Sequence, residues 1–143
     1  MNRLIIVAIA MTITVPTFVV ANDTIDNAAK EKGAVKTASG MVYKSIKDGT
    51  GNSPSSSSVV VVDYRGTLPN GYEFDSSYKS KMVTRFSLSN VIPCWTEGVQ
   101  MMKVGGKAKF VCPSELAYGT RGAGRDIPPN STLIFEIELL NVE

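Results

Sequence analysis

The segment VIPCWTEGVQMM, residues 91–102, carries the clearest helix signal of the chain. Trp95, Val99 and Met102 lie at positions i, i+4 and i+7, which places them on one face of an α-helix. Pro93 suits the first turn of such a helix, because the N–H that proline lacks would be unpaired there. The pattern therefore predicts one short helix, from Trp95 to Met102, with a single apolar face to bury.

Segments rich in β-branched and apolar residues flank this helix on both sides. Val59–Leu68 gives the strongest strand signal. In Leu133–Leu139 the apolar residues alternate with Glu136 and Glu138, which indicates a sheet with one buried and one wet face. Further strands are predicted at Met41–Ile46, Glu73–Asp75, Arg85–Leu88 and Ala108–Cys112. This order predicts an α+β fold in which an antiparallel sheet wraps over the helix.

Residues 1–21 have the pattern of a secretory signal peptide. Arg3 precedes an apolar run, Leu4–Val20, and Ala21 supplies a small residue before a cut at Asn22. The alternative is an uncleaved membrane anchor, which an apolar run of about 17 residues barely supports. We therefore expect cleavage, and no membrane attachment after it.

The rest of the chain is predicted to form one domain. Residues 22–37 are polar and are expected to be flexible, or at most one marginal helical turn. Residues 38–143 are long enough for a single hydrophobic core. The serine-rich tract after Pro54 is read as a surface loop, because the segment before it is too short to be a separate domain.

Composition excludes several kinds of chemistry. The chain has no histidine, which removes Ser-His and Cys-His catalysis and His-based zinc sites. Its two cysteines, Cys94 and Cys112, cannot complete a four-ligand metal site, and neither a metal nor a cofactor is expected. In an exported protein such a pair more often forms a disulfide. The formal net charge of +2 gives no electrostatic case for nucleic-acid binding.

A series of short motifs runs through the predicted domain. They are Val62–Leu68, Gly71, Phe74-Asp75-Ser76-Ser77, Val91–Gly98, Lys103–Gly106, Ala117-Tyr118-Gly119, Ile127-Pro128-Pro129 and Leu133-Ile134-Phe135. Each motif is weak alone, but in this order and spacing they resemble the FKBP-type peptidyl-prolyl cis-trans isomerases over about residues 38–143. The Val-Ile-Pro-x-Trp-Thr-Glu-Gly form and the signal peptide are similar to the exported bacterial branch, which includes the macrophage infectivity potentiator.

The resemblance implies both a fold and a site. The fold would be a curved antiparallel sheet of five to six strands around one short helix. A hydrophobic pocket between them would bind Xaa-Pro. The family's pattern assigns substrate binding to Tyr64, Phe74, Phe86, Val91, Ile92, Trp95, Ile127 and Phe135, and the catalytic positions to Asp75 and Tyr118. A site of aromatic rings, aliphatic side chains and one carboxylate fits a reaction that makes and breaks no bond to the substrate.

The sequence leaves structural alternatives open for these residues. Asp75 can bond Tyr64 or an arginine and organise the pocket wall, can polarise the amide, or can cap the turn before Ser76. We favour the organising role. Tyr118 can donate its hydroxyl to the substrate carbonyl or anchor its own loop to backbone. Trp95 can be the pocket floor or a plain core residue.

The cysteine pair departs from the family's pattern, in which glycine is common at the position of Cys94. In the topology that the resemblance implies, Cys112 lies near the N-terminus of the helix. We therefore expect a Cys94–Cys112 disulfide. A redox-catalytic pair is not favoured, because a Cys-x-x-Cys arrangement is absent.

The resemblance implies a monomeric isomerase that assists the folding of exported, proline-containing proteins in the periplasm or outside the cell. One alternative is a chaperone-like protein with a vestigial pocket. Another is a module that binds macrolides such as rapamycin, with weak or no isomerase activity. An isomerase assay separates the first reading from the other two.

Overall fold

A computed structural model describes residues 17–82 and 84–143. The helices are α1 (Thr17–Ala29), α2 (Ser77–Ser80) and α3 (Pro93–Gln100). The strands are β1 (Ala34–Lys36), β2 (Val42–Lys47), β3 (Val59–Thr67), β4 (Glu73–Ser76), β5 (Thr84–Ser87), β6 (Lys107–Cys112) and β7 (Leu133–Val142). Within the described ranges, no helix has the length and apolarity needed to cross a membrane.

The strands form one sheet in the order β1-β2-β6-β7-β3-β4, and every pairing is antiparallel. Two short strands pair with different parts of the long strand β3. Strand β5 pairs with Val59–Val62, and β4 pairs with Arg65–Thr67. Register shifts in β3 and β2 mark bulges, which bend a sheet. The α+β fold with an antiparallel sheet and one short packed helix is confirmed, with seven strands in place of five or six.

Helix α3 packs on the inner face of this sheet. Trp95, Val99 and Met102 are all buried, as their spacing predicts. The helix is seated closely against β6: a Cβ atom added at Gly98 would lie 2.6 Å from the ring of Phe110. The core that α3 covers includes alternate residues of β7, namely Leu133, Phe135, Ile137 and Leu139.

The N-terminal segment is more ordered than its polar sequence predicts. Residues 22–37 were expected to be flexible or one marginal turn, whereas the structure has a 13-residue helix, α1, and the edge strand β1. Ile25 and Ala28 of α1 pack against Val42 and Val111 on the outer face of the sheet. The burial comes from residues far along the chain, which local propensity does not register.

The predicted signal peptide falls mostly outside the described residues, which begin at residue 17. The predicted cleavage point, between Ala21 and Asn22, lies within α1. Ile25 and Ala28, which pack on the sheet, lie after that point, so cleavage there would leave their contacts in place.

Candidate active site

A cavity of about 410 Å³ lies between α3 and the inner face of the sheet. It is lined by Tyr64, Phe74, Asp75, Phe86, Asn90, Val91, Ile92, Trp95, Tyr118 and Phe135. Nine of the ten residues that the sequence assigned to the site are therefore brought together, although they come from six separate segments. The cavity is large enough for a proline ring with its neighbouring residues.

The floor of the cavity is the indole of Trp95, which is 4% exposed. The rings of Tyr64, Phe86 and Phe135 stand nearly perpendicular to it, with centroids 5.2, 5.3 and 5.4 Å away. Edge-to-face pairs at this spacing are favourable and fix the rings relative to one another. Among the described residues the buried indole N–H has no hydrogen-bond partner. The neighbouring aromatic rings offer it only weak acceptors. The result is a preformed aromatic cup.

Phe74 extends this cup into a side wall. It stands edge-to-face with Phe135, at a centroid distance of 5.6 Å. Close backbone approach makes this possible, because a Cβ atom added at Gly66 on β3 would lie 2.5 Å from the ring of Phe74. The strand pairing of Gly66 with Asp75 places that carboxylate beside the same wall.

Asp75 is held by two hydrogen bonds. Its Oδ2 accepts from the hydroxyl of Tyr64 at 2.5 Å, and its Oδ1 accepts from the backbone N–H of Ser76 at 2.8 Å. Burial, and then the hydrogen bond to Asp75, raise the pKa of the Tyr64 phenol well above its usual range. The phenol therefore stays a neutral donor. Both carboxylate oxygens are engaged, an arrangement that fits an organiser of the pocket wall.

A buried serine, Ser77, holds the backbone of Tyr64 in place by a hydrogen bond. The Oγ of Ser77 accepts from the backbone N–H of Tyr64 at 2.8 Å and donates to Asp63 at 3.0 Å. Ser77 therefore ties β3 to the start of α2, directly after the strand that carries Asp75. Tyr64 is thus held at its backbone and at its hydroxyl.

Another part of the cavity lining comes from the turn before α3. A 3₁₀ turn, Leu88–Asn90, leads into Val91 and Ile92, and Thr96 donates its hydroxyl to the Leu88 carbonyl at 2.7 Å. In the described part of the chain, the backbone N–H of Ile92 donates to no acceptor. This part of the lining therefore presents a free N–H beside two aliphatic side chains.

Tyr118 reaches the cavity from the long connection between β6 and β7, and it is 42% exposed. Its backbone is fixed, because its carbonyl accepts from the N–H of Gly122 at 3.1 Å and the next N–H, of Gly119, donates to Ser114 at 2.8 Å. Among the described residues its hydroxyl has no hydrogen-bond partner. The phenol is therefore positioned yet free to donate to a ligand.

Ile127 was assigned to the pocket and does not line it. Its side chain is 6% exposed and packs in the main core, while its backbone pairs with Ala123. Ile127 lies in the same connection between β6 and β7 that carries Tyr118. Conversely, Asn90 lines the cavity and was missed. An exposed asparagine carries no motif, and its position just before Val91 was the one available signal.

The predicted disulfide is present between Cys94 and Cys112, with Cα atoms 5.9 Å apart. Both cysteines are fully buried. Cys94 is in the first turn of α3, directly before the pocket floor at Trp95, and Cys112 ends β6. The bridge therefore ties the start of the helix to the sheet that it covers.

An antiparallel sheet wrapped over one helix, with an aromatic pocket between them, defines a class of protein that the sequence comparison identifies. Residues 51–140 match the FKBP-type peptidyl-prolyl cis-trans isomerases. This chain belongs to that family.

Bacterial proteins are among the relatives. The chain is 51% identical over 115 residues to the FKBP-type isomerase FkpA of Escherichia coli, covering 80% of this chain and 42% of that protein. It is 50% identical over 114 residues to a probable FKBP-type isomerase of Haemophilus influenzae, covering 80% of this chain and 47% of the relative. The chain thus spans less than half the length of these curated relatives.

Solved structures agree in fold. The crystal structure of Escherichia coli FkpA superposes with a TM-score of 0.85 at 47% identity, covering 88% of this chain and 59% of that one. A peptidyl-prolyl cis-trans isomerase from Pseudomonas syringae pv. tomato gives a TM-score of 0.82 at 36% identity. In that comparison 90% of this chain and 97% of the other are covered.

Proposed function

We propose that this chain is a peptidyl-prolyl cis-trans isomerase that accelerates rotation about Xaa-Pro bonds. The observation that carries the proposal is the aromatic cup of Tyr64, Phe86 and Phe135 around the indole of Trp95. Its flat floor and upright walls match the shape of a proline ring. The family to which the chain belongs supports the same reaction.

The chemistry follows from the nature of the amide barrier. Rotation about the peptide C–N bond costs about 18–20 kcal/mol, because the planar amide has partial double-bond character. That character is a charge-separated form, which water stabilises. Transfer of the amide into a cup of aromatic rings removes this water and disfavours the planar form. An acceleration of about 1000-fold requires about 4 kcal/mol of differential stabilisation.

Polar groups at the mouth of the pocket would orient the substrate. Ile92 and Tyr118 both line the cavity, and the N–H of Ile92 and the hydroxyl of Tyr118, which have no partner among the described residues, can each donate to a carbonyl of the peptide. Donors that meet the twisted amide better than the planar one lower the barrier. Asp75 acts through Tyr64, whose ring it holds in the wall.

The substrates that we propose are proline-containing segments of exported proteins, met by a monomer in the periplasm or outside the cell. The signal-like residues 1–21 and the disulfide support an oxidising compartment. A mass measurement on protein purified from an exporting host would show a chain that begins at Asn22. A chain that retains residues 1–21 would contradict the proposed cleavage.

The activity is tested on a short peptide with one proline, by protease-coupled or NMR exchange kinetics. We expect the purified chain to accelerate interconversion. Phe74→Ala removes part of the wall and should lower kcat/KM by more than about 10-fold, as expected from loss of an aromatic contact and its burial. Tyr118→Phe removes one donor and should lower it by about 2- to 10-fold.

Tyr78 provides a matched control for Tyr118. It is 49% exposed and lies outside the cavity, so Tyr78→Phe makes the same chemical change away from the site. We expect it to leave kcat/KM unchanged. Absence of acceleration by the folded wild-type chain would contradict the proposal. Binding of a macrolide such as rapamycin without acceleration would favour a binding module instead.

A further inference from the structure

A hydrogen bond between two side chains joins the loop that carries Tyr118 to the turn that precedes Phe74. The hydroxyl of Tyr72 donates to Oδ1 of Asp126 at 2.7 Å, across 54 residues of sequence. Tyr72 lies in the turn between β3 and β4, two residues before Phe74. Asp126 lies in the same long connection as Tyr118. The contact therefore joins the two walls between which a substrate would enter.

Both ends of this contact are anchored in rigid backbone. The turn is closed by hydrogen bonds from the Leu68 N–H to the Tyr72 carbonyl at 2.8 Å and from the Tyr72 N–H to Asn70 Oδ1 at 2.9 Å. On the other side, Ala123 and Ile127 exchange two backbone hydrogen bonds around Asp126, at 2.9 and 3.2 Å. A hydrogen bond between two fixed groups fixes the distance between their segments.

A continuous series of contacts leads from Asp126 to Tyr118. The carbonyl of Ile127 is packed against Gly122 so closely that a Cβ atom added there would lie 2.4 Å from it. The N–H of Gly122 in turn donates to the carbonyl of Tyr118 at 3.1 Å. A shift of Asp126 would therefore displace the backbone that presents the Tyr118 hydroxyl.

We propose that Tyr72 and Asp126 form a latch that sets the width of the pocket mouth and positions Tyr118 for substrate. The latch rests on the proposed function, which it deepens: Tyr72 and Asp126 are positioning residues and touch no reacting atom. The hydrogen bond also raises the pKa of the Tyr72 phenol, so it persists as a neutral donor through physiological pH. The latch thus works without a change of protonation.

Affinity for a proline peptide can be measured through the fluorescence of a residue in the pocket. The chain has one tryptophan, Trp95, so its fluorescence reports occupation of the cup. Tyr72→Phe and Asp126→Ala each remove the latch and should raise Kd and KM by about 2- to 10-fold, the range for one net hydrogen bond. Turnover should change by less than about twofold, because the donor itself is retained.

The variants have matched controls. Asp126→Asn keeps an acceptor oxygen and should stay near wild type, and Tyr78→Phe alters a tyrosine of similar exposure, 49% against 51%, outside the cavity. The double variant of Tyr72→Phe with Asp126→Ala should be no worse than either single variant. In a Tyr118→Phe background, Tyr72→Phe should lose the part of its effect that acts through the Tyr118 hydroxyl, and the remaining effect measures the contribution of the width of the pocket mouth.

Amide hydrogen exchange tests the latch independently of catalysis. In Tyr72→Phe, the N–H groups of Gly122, Ala123 and Ile127 should exchange at least about threefold faster, while those of α3 keep their wild-type rates. Unchanged exchange at these three amides, or additive effects of the two latch variants on Kd, would overturn the latch. If Tyr72→Phe shows this exchange pattern while the wild-type chain has no isomerase activity, the proposed function is refuted and the latch still stands.

Discussion

At the scale of single residues, the hydrogen bond between Tyr64 and Asp75 bears on the role of the carboxylate in this pocket. Asp75 is an exposed residue at the edge of the aromatic cup, and each of its carboxylate oxygens accepts a hydrogen bond. The carboxylate holds the Tyr64 ring in the wall, and the ring contacts both Phe86 and Trp95. This geometry fits the organising role favoured from the sequence, in which Asp75 acts on the pocket through Tyr64.

A double-mutant cycle tests this role. Tyr64→Phe keeps the ring and removes the hydroxyl, and Asp75→Ala removes the acceptor; each should lower kcat/KM several-fold, about the value of one hydrogen bond to a charged group. If Asp75 acts through Tyr64, the double variant should lose no more than the worse single variant. Multiplied losses in the double variant would show that Asp75 acts on the amide directly.

The raised pKa of Tyr64 gives the same pair a pH signature. Its folded pKa lies above the usual value near 10, so the proton is bound more tightly in the folded state. The stabilisation is fully present below pH 10 and is lost as the pH rises through the folded value. Urea unfolding of Tyr64→Phe should therefore show a weaker loss of stability above pH 10 than the wild type shows.

At the scale of elements, the disulfide links α3 to β6 at the end of the helix where the pocket lies. Cys94 and Cys112 are separated by 18 residues, and closing a loop of that size should stabilise the fold by about 3 kcal/mol through the unfolded chain. Cys94→Ala with Cys112→Ala should therefore lower the melting temperature by roughly 10 °C. Wild-type protein unfolded with and without reductant separates this cross-link effect from lost packing. Equal stability under both conditions would contradict it.

The elements also show what the sequence could predict. The α3 helix was predicted from a stripe of three apolar residues, and the structure starts it two residues earlier, at Pro93. The strands of the core were predicted because their alternation matches burial on one face. Helix α1 escaped prediction because its buried residues, Ile25 and Ala28, are stabilised by β2 and β6, and a local window does not contain these partners.

In the site, too, some features could be predicted from the sequence and others could not. Residues inside family motifs, such as Phe74 and Trp95, could be assigned from sequence, because motif and pocket coincide. Ile127 lies in the core and not along the cavity, and a motif position alone does not reveal which way a side chain turns. The contact between Tyr72 and Asp126 could not be foreseen, because it joins two loops whose approach depends on the complete fold.

At the scale of the whole molecule, Glu31 fastens the N-terminal segment to the sheet. It lies two residues beyond α1, and its carboxylate binds Lys44 of β2 and Lys109 of β6, each at 3.1 Å. The hydrogen bonds to Lys109 and Lys44 lower the pKa of Glu31. One side chain thus bridges α1, β2 and β6 on the outer face, opposite the pocket.

The lowered pKa of Glu31 predicts how stability depends on pH. A carboxyl group that is more acidic in the folded state adds stability above its unfolded pKa, and this stability disappears as the pH falls through the folded value. Because the three side chains are partly exposed, the contribution should be about 1 kcal/mol or less at neutral pH. Urea unfolding of Glu31→Gln should show that loss at pH 7 and a difference from wild type that shrinks towards pH 3. Glu115→Gln, at an exposed glutamate with no ion pair among the described residues, is the matched control and should follow wild type throughout.

Since Glu31 is on the opposite face from the cavity, kcat/KM should be unchanged at pH 7, and a loss of activity in the folded Glu31→Gln protein would mean that the outer face is coupled to the pocket.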